Sequence, residues 1–183
     1  MSRGFVKEDD LEHAGTDLPE RPISAQINYV TVHGLAQLKA SVESLFATRA
    51  LLLTQKDDAT AQQKLAMVER DLRYFSARIS SAILVEQPTL NQKDSINGLN
   101  AQMQSNTKNI VLFGATVTVQ NDEDVLQTMT IVGEDEADIS AGKISWNSPL
   151  AKALIGQKIG DTVVWKRPVG DAELTIIAIA FEP

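Results

Sequence analysis

Leu35, Leu38, Val42, Leu45, Arg49 and Leu52 advance along the chain by three, four, three, four and three residues, and Leu65, Val68, Leu72, Phe75, Ile79 and Ala82 repeat that series. Each series is the narrow apolar seam of a coiled-coil helix, which is stable in water only when a second seam covers it. Two seams of equal length joined by the polar run from Thr54 to Gln63 predict an antiparallel helical hairpin. Arg49 interrupts the first seam; its guanidinium is expected to snorkel out or to pair with an acid across the hairpin.

Charge and composition limit what such a rod serves. The 183 residues suit one or two small domains with a real core. With 17 basic and 24 acidic residues the net charge is −7, which argues against non-specific nucleic-acid binding by the whole molecule. From Leu35 to Val85 the balance is 7 basic to 5 acidic, so a mildly basic rod is joined to an acidic remainder. Cysteine is absent, which excludes disulfides, a thiolate nucleophile and Cys-ligated zinc. His13 and His33 have no partner at ligand spacing. No apolar run approaches the roughly 20 residues of a membrane span, and no signal-peptide core is present, so a cytoplasmic protein without a membrane partner is expected.

Four zones separate along the chain. Residues 1–28 carry Arg3, Phe5 and Lys7 and then acids and prolines, and are expected to form an extension without periodic structure. Residues 29–86 hold the hairpin, with Thr31 as a candidate cap and Gly34 placing the helix start near Leu35. Residues 87–107 are polar and read as a linker. Residues 108–183 change to an alternating period: Leu112 to Val119, Met129 to Val132, Thr162 to Lys166 and Leu174 to Phe181 read as strands. Ser148 and Pro149 open one short helix that ends at Gly156, with Leu150, Ala153 and Leu154 on its apolar face. Trp146 and Trp165 are expected in the core. The fold class is α+β: an N-terminal antiparallel coiled-coil hairpin, then an antiparallel β domain with one short helix.

The segments from Val111 to Val119, Ile131 to Asp138, Ile144 to Gly156 and Ile159 to Trp165 resemble, in order, the signature of the bacterial transcription factors GreA and GreB. Tyr29 to Leu35 and Leu72 to Phe75 are similar to that family's helix entry and second helix. The resemblance implies an FKBP-like C-terminal domain that docks on the rim of the RNA polymerase secondary channel, and a coiled coil that enters the channel. It also implies a regulatory factor rather than an enzyme, one that at most stimulates the polymerase's own RNA cleavage and acts on nascent RNA indirectly. In the cleaving members, tip acids help to hold a second magnesium ion, a task for which carboxylate oxygens are suited.

The sequence departs from that pattern at the tip. The family's motif, with an Asp and a Glu three residues apart, is missing, and each arm is shorter by about seven residues, roughly 10 Å of helix. Asp57 and Asp58 are the acids near the new tip. They are candidates for approaching a shared magnesium ion, but adjacent acids at such a turn more often start and cap the second helix. No cofactor of the chain's own is expected, and cleavage stimulation is expected to be weak or absent. The resemblance places Asp135 and Glu136, with Asn147, Ser148 and Pro149, near the polymerase-docking surface; a polar loop and helix cap is the structural alternative. Arg70, Arg73 and Arg78 are candidates for channel or RNA contacts, or for the charged flank of a coiled coil. A different class stays open, a peptide-binding or prolyl isomerase module with a structural coiled coil, as does a self-associating rod; a hairpin closed on itself predicts a monomer.

Overall fold

The computed structural model describes residues 18–55, 58–86 and 109–181. Most of the expected extension, the expected 87–107 linker and Asp57 lie outside the described residues. The chain divides into two compact units, residues up to Ala25 with Gln37–Ser81, and Gln26–Ala36 with Ala82 onward.

The first unit is the hairpin. Helix α1 spans Val32–Leu52, its first turn counted with the second unit, and α2 spans Ala59–Ser80. At 1.5 Å per residue each arm is about 30 Å long. All twelve seam residues are buried or half-buried. Phe46, Leu51 and Met67, which lie off the seams, are exposed. Ala61 is also buried and continues the second seam one step toward the tip. The helices are joined through Leu53–Asp58, a shorter connection than the polar run suggests, because Asp58 starts α2 early. Its carboxylate accepts the Thr60 N–H at 2.8 Å and satisfies an amide that the helix leaves unpaired.

Helix α1 likewise begins ahead of the expected Leu35. Thr31 Oγ1 accepts the Gly34 N–H at 2.8 Å, so Thr31 is the cap and Gly34 lies inside the first turn. Just before it, β1 (Tyr29–Val30) pairs in parallel with β2 (Ile83–Leu84). A parallel pair needs a crossover between its strands, and the helical hairpin supplies it.

In the second unit, β3 (Ala115–Asn121), β4 (Leu126–Val132), β5 (Lys143–Ser145), β6 (Thr162–Trp165) and β7 (Ala172–Phe181) form a curled sheet in the order β5-β4-β3-β7-β6. The sheet is antiparallel in three of its four pairings, as expected, and parallel in the fourth. Between β4 and β5 the chain turns back through a 3-10 turn at Ile139–Ala141, so β5 runs parallel to β4, with Ile131 opposite Ile144. Val117, Val119, Ile131, Leu174 and Ile176 point inward onto α3 (Pro149–Leu154), which contributes Leu150, Ala151 and Leu154. Each large apolar side chain buried there contributes roughly 1.5–3 kcal/mol relative to exposure. Trp146 and Trp165 pack against this core. The opposite face carries threonine pairs, Thr116 with Thr130 at 2.9 Å and Thr118 with Thr128 at 3.0 Å.

Candidate functional site

At the hairpin tip, the expected chemistry depends on Asp57 and Asp58. Asp57 is outside the described residues, and Asp58 is exposed with one oxygen engaged as the α2 cap. Toward the helix ends, Leu51 is 62% exposed, and Leu52, Leu53, Gln55, Gln62 and Leu65 line an open hollow. Among the described residues no group of three His, Asp or Glu side chains stands ready to hold a metal.

The three arginines of α2 have different surroundings. Arg70 donates to Asp71 Oδ1 from Nε at 3.3 Å and from Nη2 at 3.2 Å. Arg73 donates to Glu20 Oε1 from Nε at 2.9 Å and also from Nη2, and this hydrogen bond holds its guanidinium above the usual arginine range. Arg78 is only 1% exposed, so it does not present a surface for channel or RNA contacts. It borders the seam at Ile79, and a charged residue in that position reads from sequence as solvated. Arg49 pairs across the hairpin with Glu69, Nε to Oε1 at 3.0 Å.

In the second unit, the two candidate docking segments come together. Asn147 Nδ2 donates to Glu134 Oε1 at 3.4 Å, linking the acidic loop to the turn before α3. Asp135 is half-buried and Pro149 exposed. Ser148 caps α3, its Oγ accepting the Ala151 N–H at 3.2 Å. Glu136 differs from the expectation of a surface acid. Its side chain is 4% exposed, with Oε2 accepting from Thr31 Oγ1 and Oε1 from Lys143 Nζ at 3.0 Å. A buried carboxylate is tolerated because both oxygens are bonded and one partner is cationic. Nearby, Tyr29 meets Trp146 edge to face, with ring centroids 5.1 Å apart, and Phe113 at 5.9 Å. A Cβ at Gly133 would lie 2.6 Å from the Tyr29 carbonyl oxygen, so glycine is what lets β1 approach there.

Two partnerships were not legible beforehand. Thr31 is recognisable as a cap, but its second bond, to a carboxylate 105 residues away, has no local signal. Glu20 and Arg21 sit in a stretch without periodicity, and nothing there marks them as partners of α2.

Comparison with known proteins draws these features together. The family model for the C-terminal domain of transcription elongation factor GreA/GreB matches residues 106–181, which contain the sheet, α3 and the acidic loop. The similarity extends into the hairpin: the transcription elongation factor GreA of Thioalkalivibrio sulfidiphilus is 37% identical over 122 residues, covering 66% of this chain and 68% of that one. The chain belongs to the GreA/GreB family. The GreB of Neisseria meningitidis serogroup B is 32% identical over 120 residues, covering 66% of this chain and 64% of that one. Among solved structures, the crystal structure of GreA factor homolog 1 (Gfh1) of Thermus thermophilus aligns over 85% of this chain and 99% of that one. Its TM-score is 0.36 at 20% identity, too loose a superposition to carry an argument. The chain thus spans about two thirds of the GreA and GreB relatives it matches. No helix among the described residues is long and apolar enough to cross a membrane.

Proposed function

We propose that this Gre-family chain binds bacterial RNA polymerase at the secondary channel through its sheet domain, inserts the short hairpin, and stimulates transcript cleavage weakly or not at all. The observation that carries this reading is the tip. The arms of 21 and 22 residues meet through a turn whose described part offers leucines, amides and one capping carboxylate. A second catalytic magnesium ion needs several hard oxygen ligands at close range, and the tip has two aspartates, of which Asp58 already engages one oxygen as the α2 cap. Any magnesium involved would be held chiefly by the polymerase.

Docking would use Asp135 with the Asn147-Ser148-Pro149 turn, while Glu136 acts from beneath by holding Thr31 and Lys143 in place. A hairpin whose seams cover each other supports a monomer, working in the cytoplasm where the polymerase is found. The prolyl isomerase alternative draws no support from the inner face of the sheet, which Leu150, Ala151 and Leu154 fill. The docking half is tested by titrating labelled protein with core polymerase. Saturable binding that weakens with Asp135→Lys is expected; absence of binding at micromolar concentrations overturns it.

A further inference from the structure

Residues 18–25 contain no helix or strand, yet they belong to the hairpin's unit, held by side chains of α2. Arg21 is the centre of this attachment. Its guanidinium carbon stands 3.8 Å from the Tyr74 ring centroid and 5.0 Å from that of Phe75, with Nη1 3.5 Å from Asp71 Oδ1. Tyr74 and Phe75 lie three and four residues beyond Asp71 on the helix, so a single guanidinium reaches all three. One residue earlier, Glu20 takes Arg73 from the neighbouring side of the helix. Two consecutive side chains of opposite charge thus meet two α2 side chains of opposite charge in a crossed arrangement, and a slip by one residue would set like charges together.

The Arg21–Asp71 pair is partly open to water, its side chains 35% and 28% exposed, and the Glu20–Arg73 pair more so. The Arg73 and Glu20 side chains are 57% and 61% exposed. Ion pairs of this kind are individually weak and screened by salt, so they suit a segment that detaches. The three arginines differ in what release would change. Arg78 is buried and Arg70 is bonded within α2 to Asp71, whereas Arg73 is held by a residue from outside the hairpin.

We propose that Glu20 and Arg21 form a reversible autoinhibitory strap, which when closed occupies Arg73 and covers one face of Tyr74, and which lifts before this side of α2 meets an anionic surface of its partner. The inhibitory half rests on the polymerase-binding reading above; the strap itself does not.

The absence of cysteine makes the test direct, since Pro19→Cys and Gln63→Cys accept a pair of spin labels without background. Electron–electron distance measurements on the full chain are expected to give one narrow distribution at low salt that broadens in high salt. Glu20→Arg broadens it at low salt, and Glu20→Arg combined with Arg73→Glu narrows it again. A narrow distribution unaffected by Glu20→Arg, or a broad one in the parent at low salt, overturns the strap. In a second arm, Glu20→Gln with Arg21→Gln is titrated against core polymerase, and about fivefold tighter binding than the unaltered chain is expected. Equal or weaker binding overturns the inhibition. If neither protein binds, the polymerase reading falls, and the distance measurement still decides the strap.

Discussion

The carboxylate of Glu136 fills the space that a side chain at Gly34 would need: a Cβ built there lies 2.6 Å from Oε2. Thr31 and Lys143 bond the same carboxylate, so it has little freedom to withdraw.

Gly34→Ala is therefore predicted to destabilise the protein by about 1–3 kcal/mol, the usual range for overpacking. At an unobstructed helix position the same change stabilises by roughly 1 kcal/mol, so the sign is diagnostic. Glu136→Ala removes the obstruction at the cost of its own bonds, and in that background Gly34→Ala becomes neutral or stabilising. Denaturant unfolding of the two single variants and the double variant closes the cycle; a stabilising Gly34→Ala in the parent contradicts the packing described here.

Arg49 occupies a seam position but spends it on a half-exposed pair with Glu69. Such pairs contribute about 0.2–1 kcal/mol, whereas a leucine covered at that position gains apolar burial. Arg49→Leu is expected to be neutral or stabilising by about 1 kcal/mol in chemical denaturation. A loss above about 2 kcal/mol would show the pair to be worth more than exposed pairs are.

Asp138 lies before the 3-10 turn, and its carboxylate is held below the usual range by the Ser140 hydroxyl and then by the Ser140 amide. A carboxylate with a lowered folded pKa stabilises the fold above its unfolded value, near 3.9, and that contribution is lost as pH falls through the folded value. Following the Asp138 carboxyl carbon by NMR is expected to give a midpoint below the ordinary aspartate value, with Ser140→Ala moving it upward. An unmoved midpoint in Ser140→Ala removes the assigned cause.

The parts of this fold that repeat or cap were legible in the sequence. The seams placed the hairpin, and Ser148-Pro149 placed the start of α3, because helix periodicity and helix ends are written within a few residues. Parallel pairing was not legible: β1 with β2, and β4 with the three-residue β5, depend on crossovers that local patterns do not encode. Burial of charge was equally hidden. Glu136 sits in an acidic run and Arg78 on a charged helix flank, and only distant partners or tertiary packing turn such residues inward. Of the candidate site, the proposed docking segments rest on resemblance and the proposed tip on counting, while the Glu20–Arg73 and Glu136–Thr31 contacts required the structure.

The position and chemistry of the tip decide whether the hairpin can support RNA cleavage, and transcript shortening is the direct readout. Stalled, backtracked RNA polymerase complexes carrying labelled RNA are mixed with the protein and followed on a sequencing gel. Binding is expected with little or no shortening of the transcript beyond the polymerase's own slow rate. Robust shortening that disappears in the Asp57→Ala, Asp58→Ala variant would contradict it and assign catalytic carboxylates to this short hairpin.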